Sequence, residues 1–202
     1  MNFKIFIGLF LCTQLGWAQE KAKDTTAIKI IETFFEIAYT QPLFYGDNFI
    51  NKGYDVNSTL DFGVTTDFYY KTTLHFDLNV TSADVVRPEL IGNIRSANLT
   101  RVSFGMGYPL DIVDKLSFLP SLHVGYIKIG QKVEDGKFRD DGVFLQIEAA
   151  LNYRLFEFFD ISLGLKNHYD FIRIEAPSQV QSFFDNAQSV YPYLGVRFRV
   201  DK

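Results

Sequence analysis

The stretch "VFLQIEAALNYRL", residues 143–155, separates into two lists when read at alternate positions. Val143, Leu145, Ile147, Ala149, Leu151, Tyr153 and Leu155 fall on one face, and Phe144, Gln146, Glu148, Ala150, Asn152 and Arg154 on the other. Successive side chains of a β-strand point to opposite sides, so a period of two kept this long predicts a strand about twice the usual length. Which face points inward decides the fold. Apolar residues inward would make an ordinary sheet protein in water, and apolar residues outward would place the chain in lipid.

The same alternation recurs along the chain. It predicts strands near 33–45, 55–67, 72–82, 97–108, 116–130, 142–155, 159–173 and 190–200, eight in number. The links between them alternate in length. "FYYK" (68–71), "PLDIVDK" (109–115) and "FEF" (156–158) are short. Residues 46–54, 82–95, 130–141 and 174–189 form long links. In an up-and-down sheet all short turns then lie at one end and all long loops at the other, the asymmetry of outer-membrane barrels. The fold class expected is all-β: an eight-stranded antiparallel up-and-down transmembrane barrel.

Two features place the polar face inside. Gly63, Gly105, Gly107, Gly125, Gly164 and Gly195 all share the polar parity. Glycine weakens a strand, and a water-facing surface has no reason to collect it. A narrow lumen does, because small residues make room for large ones from other strands. The aromatics of the apolar face also cluster at strand ends: Tyr108, Phe118, Tyr153, Phe159 and Phe198 toward the short turns, and Tyr126, Tyr169 and Phe171 toward the long loops. Two aromatic bands flanking an aliphatic middle match membrane-interface girdles. A lipocalin-like barrel, apolar inside, would be overfilled by five or more large side chains per strand.

The chain has 202 residues and a net charge of -4, which suits one domain and offers no field for nucleic acid. Residues 1–18 have the layout of a secretory signal peptide, with Lys4, the apolar run Ile5–Leu11, and Gly16 and Ala18 before the expected cut. Cleavage there removes Cys12 and Trp17, the only cysteine and tryptophan, so the mature chain can form no internal disulfide. Leu11 stands where a lipid-attachment motif needs a small residue, so Cys12 is not read as an anchor. Residues 19–31 are expected as a periplasmic lead and 32–202 as the barrel.

By parity Glu36, Asp61, Asp77, Glu148, Asp160 and Asp170 share the lumen with Arg101, Arg154, Lys166, Arg197 and Arg199. Buried charges are costly unless paired, so this near-balanced set is expected to interlock as a plug. A narrow ion path lined by the same groups is the alternative. His75, His123 and His168 also face inward, but their different distances along the strands argue against convergence on one metal ion. A lipid-modifying enzyme would need a Ser–His–carboxylate set. Ser162 lies six residues from His168, roughly 20 Å along a strand, too far for a hydrogen-bonded pair. No catalytic residue, metal ligand or cofactor is expected. In the last long loop Val180, Phe183, Phe184 and Ala187 follow Ser178 at helical spacing, predicting a short amphipathic helix capped by Ser178. That helix would pack over the barrel mouth or meet a partner.

The closing "YLGVRFRV" sets Tyr193, Gly195, Phe198 and Val200 in the pattern Tyr-x-Gly-x-x-Phe-x-Val. It resembles the final-strand signal read by the outer-membrane assembly machinery, although Asp201 and Lys202 extend past it. With "FFEIAYTQPLFYGDNF", "GMGYPL" and "LNYRL", it makes residues 32–200 similar to the small eight-stranded outer-membrane barrels of the OmpX/OmpA-transmembrane-domain, porin-family type. The resemblance implies a Gram-negative outer-membrane location with membrane lipids and the assembly machinery as partners, and allows an envelope protein as a further partner through the loops. It implies no substrate, since one fold hosts many functions.

Overall fold

A computed structural model describes residues 32–134 and 136–200; the signal-peptide and lead segments, Asp201 and Lys202 lie outside the described residues. The elements in chain order are β1 (Thr33–Thr40), β2 (Leu43–Tyr45), α1 (Phe49–Gly53), β3 (Tyr54–Val56), β4 (Thr59–Asp67), β5 (Thr73–Val85), α2 (Pro88–Ile91) and β6 (Ile94–Gly107). They continue with β7 (Leu110–Val113), β8 (Leu116–Val133), β9 (Gly136–Phe156), β10 (Phe159–Arg173), α3 (Gln181–Asp185) and β11 (Asn186–Arg199).

Eight strands, β1, β4, β5, β6, β8, β9, β10 and β11, pair antiparallel with their neighbours, and β11 returns to pair with β1. The sheet closes, so no ring strand keeps an unpaired edge along its paired length. Three short strands attach to this ring: β2 on β11, β3 on β5 and β7 on β8. Two of them are continuations that the alternation read as single strands. Pro42 carries no backbone N–H and separates β2 from β1, while Asn57 and Ser58 separate β3 from β4. The Asn57 N–H still donates to the Ser82 carbonyl, so pairing survives the break.

The apolar face points outward. Leu122, Val124, Ile147, Leu163 and Leu194 are each more than half exposed, whereas Ser121, His123, Glu148, Ser162 and Tyr193, one position away, are buried. At the short-turn end Phe159 and Phe198 meet edge to face at 5.2 Å. At the long-loop end Tyr169 and Phe171 lie 4.8 Å apart on the outer surface. Among the described residues no helix is long and apolar enough to cross a membrane, and the crossing elements of this architecture are strands.

The long-loop end differs from the expected loops. Residues 130–141 are a continuation of the hairpin instead of a loop: pairing runs on to Val133 opposite Gly136. The alternation persists there, with Ile127, Ile129 and Gln131 buried and Lys128 and Lys132 exposed. In the last loop the helix covers only Gln181–Asp185, begins after Val180 and has no side-chain cap; Ser178 lies before it, and Ala187 belongs to β11. Gln181 holds this turn instead, accepting from the Ala176 N–H at 3.1 Å and donating to the Ile174 carbonyl at 2.8 Å.

The interior is also less uniform than parity suggests. Toward the long loops its inward positions are apolar. Phe49, Ile50, Leu99, Ile127, Ile129, Phe144 and Ile172 form a buried cluster, with Phe183 and Phe184 packed against it. Here the strands rise beyond the outer apolar band, so α1 and α3 fold inward over them and the inward side chains meet other side chains instead of water.

Candidate functional site

The chemistry-bearing residues lie in the lumen beneath that apolar cap. Each is placed by the two-residue repeat of its strand, which sends alternate side chains to the axis. Just below the cap, Arg101 on β6 donates from Nη2 to Asp170 Oδ2 on β10 at 2.7 Å and from Nη1 to the Tyr191 hydroxyl at 2.6 Å. Its guanidinium carbon lies 5.4 Å from the Tyr191 ring centroid and 5.7 Å from that of Phe44. Arg101 and Asp170 are sealed from solvent, so the pair depends on these bonds to offset its desolvation.

Next to it Lys166 donates to Asp61 Oδ2 at 3.0 Å, with Asp77 Oδ1 at 3.7 Å and the ring centroid of Tyr193 at 5.2 Å. Asn79 donates to Asp61 as well, and Thr81 donates to Asn79 at 3.0 Å. The Tyr193 hydroxyl donates to Glu148 Oε1 at 2.6 Å, and Gln146 donates to Glu148 Oε2 at 3.1 Å. Toward the short turns Arg197 lies 3.5 Å from Glu36 and 3.9 Å from Asp160, over the ring of Phe34 at 4.3 Å. The space left between Asp61, Arg101, Lys166 and Tyr191 is about 10 Å³, room for about one water.

Nine of the eleven charged residues assigned to the lumen occupy it, and Arg154 and Arg199 do not. Arg154 is exposed beside Asp160 and Lys115 at the short-turn mouth. Parity places its Cα correctly, but the strand ends there and a long side chain extends to water. Arg199 likewise pairs with Glu32 at the rim, at 3.2 Å. The inner set is therefore not balanced: Glu36, Asp61, Asp77, Glu148, Asp160 and Asp170 face Arg101, Lys166 and Arg197 alone. Neutral donors make up part of the difference, among them the Tyr193 hydroxyl, Asn79, Gln146 and Ser103, which reaches Asp77 at 3.3 Å.

The histidines do not all stand apart. His75 and His123 are edge to face at 5.2 Å, because β5, β6 and β8 set both level with Gly105. A Cβ on Gly105 would collide with the His123 ring, so the missing side chain is what admits it. Counting residues from the turns ignored the stagger between tilted strands, and the shared register with Gly105 is the signal that could have found the pair. His123 Nδ1 is 3.0 Å from Asp77 and its Nε2 is 3.4 Å from Glu148. These three residues are the group among the described residues whose ligand atoms lie within 4.8 Å of one another, as a metal site would need. Their atoms are already engaged, by Lys166 at Asp77, by Ser121 at His123 Nε2 (2.7 Å), and by Tyr193 and Gln146 at Glu148. His168 stands elsewhere, bonded to Gln146 Oε1 at 2.9 Å and packed on Tyr191. Ser162 has no hydrogen-bond partner among the described residues, and Asp170 is held by Arg101, so His168, Ser162 and Asp170 form no relay.

The residues of the closing pattern divide by face. Tyr193 and Gly195 point inward, Tyr193 buried against Glu148 and Gly195 against Ala38, while Phe198 and Val200 are exposed outside. Of the loop residues, Phe183 and Phe184 pack into the cap, with Phe184 5.5 Å from Phe49, and Val180 is exposed. Tyr191, the largest fully buried side chain, was missed, although it shares the parity of Tyr193 and Arg197.

No protein-family model and no curated protein matches the chain. Solved structures do. Neisserial surface protein A superposes with a TM-score of 0.53 at 10% identity, covering 84% of this chain and 96% of that one. A major outer membrane protein from Thermus thermophilus gives 0.53 at 9% identity over 84% and 98%. Ail, the attachment invasion locus protein of Yersinia pestis, gives 0.50 at 13% identity over 84% and 97%. At these identities the likeness is one of fold: the chain has the architecture of small eight-stranded outer-membrane barrels.

Proposed function

We propose that this chain is an integral outer-membrane barrel, exported by residues 1–18, that has no enzymatic activity and serves the envelope structurally or through its long-loop end. One observation carries the reading: the exterior is apolar and the interior is closed. Large apolar side chains cover the outside of a sheet whose polar groups face the axis, an inversion that is stable only against lipid. The bore is filled by the cap, by the ion-paired tier around Lys166 and Arg101, and by Arg197 near the short turns. A polar lumen whose side chains interlock, with about 10 Å³ left around Lys166 and Arg101, favours a plug over a pore. Tyr193, Gly195, Phe198 and Val200 would then serve twice, as lumen and wall residues and as the strand that the assembly machinery reads.

The test is reconstitution. Purified protein folded into lipid vesicles should run faster on unheated than on boiled gels, and in planar bilayers it should give at most small, irregular conductance. Large, steady, porin-like channels would overturn the closed-lumen reading. Failure to insert into vesicles would overturn the membrane reading itself.

A further inference from the structure

On β8, β9 and β10 the outward face changes character between one register pair and the next. Tyr126, Val143 and Phe171 are mutual neighbours across these strands and belong to the apolar band. Two residues further toward the long loops, Lys128 stands opposite Asp141 and Asp141 opposite Arg173. Beyond them come Arg139, then Lys132 opposite Lys137. Five exposed cations thus stand on the outward face of this flank, with Asp141 between Lys128 and Arg173. Of the other acids nearby, Asp140 has the inward parity, Glu134 in the turn is paired with Arg95, and Glu175 lies beyond the end of β10. None of the five makes an ion pair among the described residues. The cations stop at β8: on the adjoining β6 Thr100 and Asn98 stand opposite Lys128 and Gly130, and on the next strand pair, β3 and β5, Asp55 faces Asp84.

Directly below the cations the wall is recessed. A groove of about 480 Å³ runs between Val124, Val143, Leu145 and Phe171, with Gly125 and Phe144 at its floor. Gly125 lacks a side chain because the inward ring of Phe144 lies across it, and that absence thins the wall. An apolar groove that ends under a cluster of unpaired cations matches a molecule with an acyl chain and an anionic head.

We propose that this flank is a binding site for a phosphorylated, acylated glycolipid of the lipid A type in the outer leaflet. One acyl chain lies in the groove, and a phosphate is held by Lys128, Arg139 and Arg173. The proposal rests on the outer-membrane reading, which puts the long-loop end in the leaflet where such lipids reside. Cation–phosphate bonds are charge-assisted, and they strengthen where the adjoining apolar surface excludes water. Asp141, between Lys128 and Arg173, limits their mutual repulsion when the site is empty.

Native mass spectrometry of the folded protein in a zwitterionic detergent, titrated with lipid A, tests this. One lipid A should be retained. Removing its phosphates, or making the Lys128→Ala/Arg139→Ala/Arg173→Ala variant, should weaken retention by at least about tenfold. Val143→Trp, which fills the groove from the lipid side, should weaken it too, and all variants should keep the heat-dependent gel shift. Equal retention by the triple variant, equal retention of dephosphorylated lipid A, or equal retention of phosphatidylglycerol would overturn the proposal. A barrel that inserts into vesicles and ignores lipid A defeats this inference alone. A chain that fails to insert defeats the outer-membrane reading first.

Discussion

At the scale of single residues, the lumen shows how much depends on a partner. Arg101 and Asp170 are both closed off from water, and each is the other's charge. Arg101→Ala strands a buried carboxylate and should cost roughly 3–5 kcal/mol of folding free energy in a urea titration. Replacing both residues by leucine removes the stranded charge and should recover much of that loss. Arg154→Ala is the control, because its side chain is exposed at the short-turn mouth and should change stability by no more than about 0.5 kcal/mol. Equal effects at Arg101 and Arg154 would show that the Arg101 tier does not hold the interior together.

At the scale of elements, the β4–β5 turn carries an avoidable strain. Tyr70 and Lys71 have φ values of 46° and 62°, both left-handed, and the Thr72 N–H donates back to the Tyr69 carbonyl at 2.9 Å. Such a turn ordinarily takes asparagine and glycine, because a Cβ is disfavoured at positive φ. Lys71→Gly should therefore stabilise the barrel by about 1 kcal/mol, read as a higher denaturant midpoint with an unchanged slope. A lower midpoint would mean that the Lys71 side chain contributes more than its backbone costs. The extended β8–β9 hairpin shows the opposite case, where sequence and geometry agree beyond the membrane band and pairing simply continues.

At the scale of the molecule, the sheet has two faces with different solvents. Leu163 is outward and 58% exposed, and its neighbour Gly164 faces the axis. Leu163→Arg puts a charge in the lipid layer and should cost roughly 2–4 kcal/mol in vesicle folding titrations. Gly164→Ser is not a mild change either. A Cβ at Gly164 would meet the Tyr193 ring, so overpacking should cost about 1–3 kcal/mol. An unaltered folding free energy for Leu163→Arg would mean that the outer face does not meet lipid.

The period-two alternation determined the eight ring strands, because that period is a property of each strand alone. The alternating link lengths gave their up-and-down order, and the aromatic bands at the strand ends pointed the apolar face outward. The polar parity of the glycines belongs here too: Gly105, Gly125 and Gly164 are small because His123, Phe144 and Tyr193 occupy their space. Only the tertiary structure decided which inward residues meet. Convergence depends on the stagger between strands, which sets His75 and His123 level through Gly105 and brings Lys166 between Asp61 and Asp77. It also decided what lies beyond the apolar band. There α1 and α3 turn inward to build an apolar cap, and Arg154 escapes the lumen at the other end, because strand parity carries no information about where along the axis solvent begins.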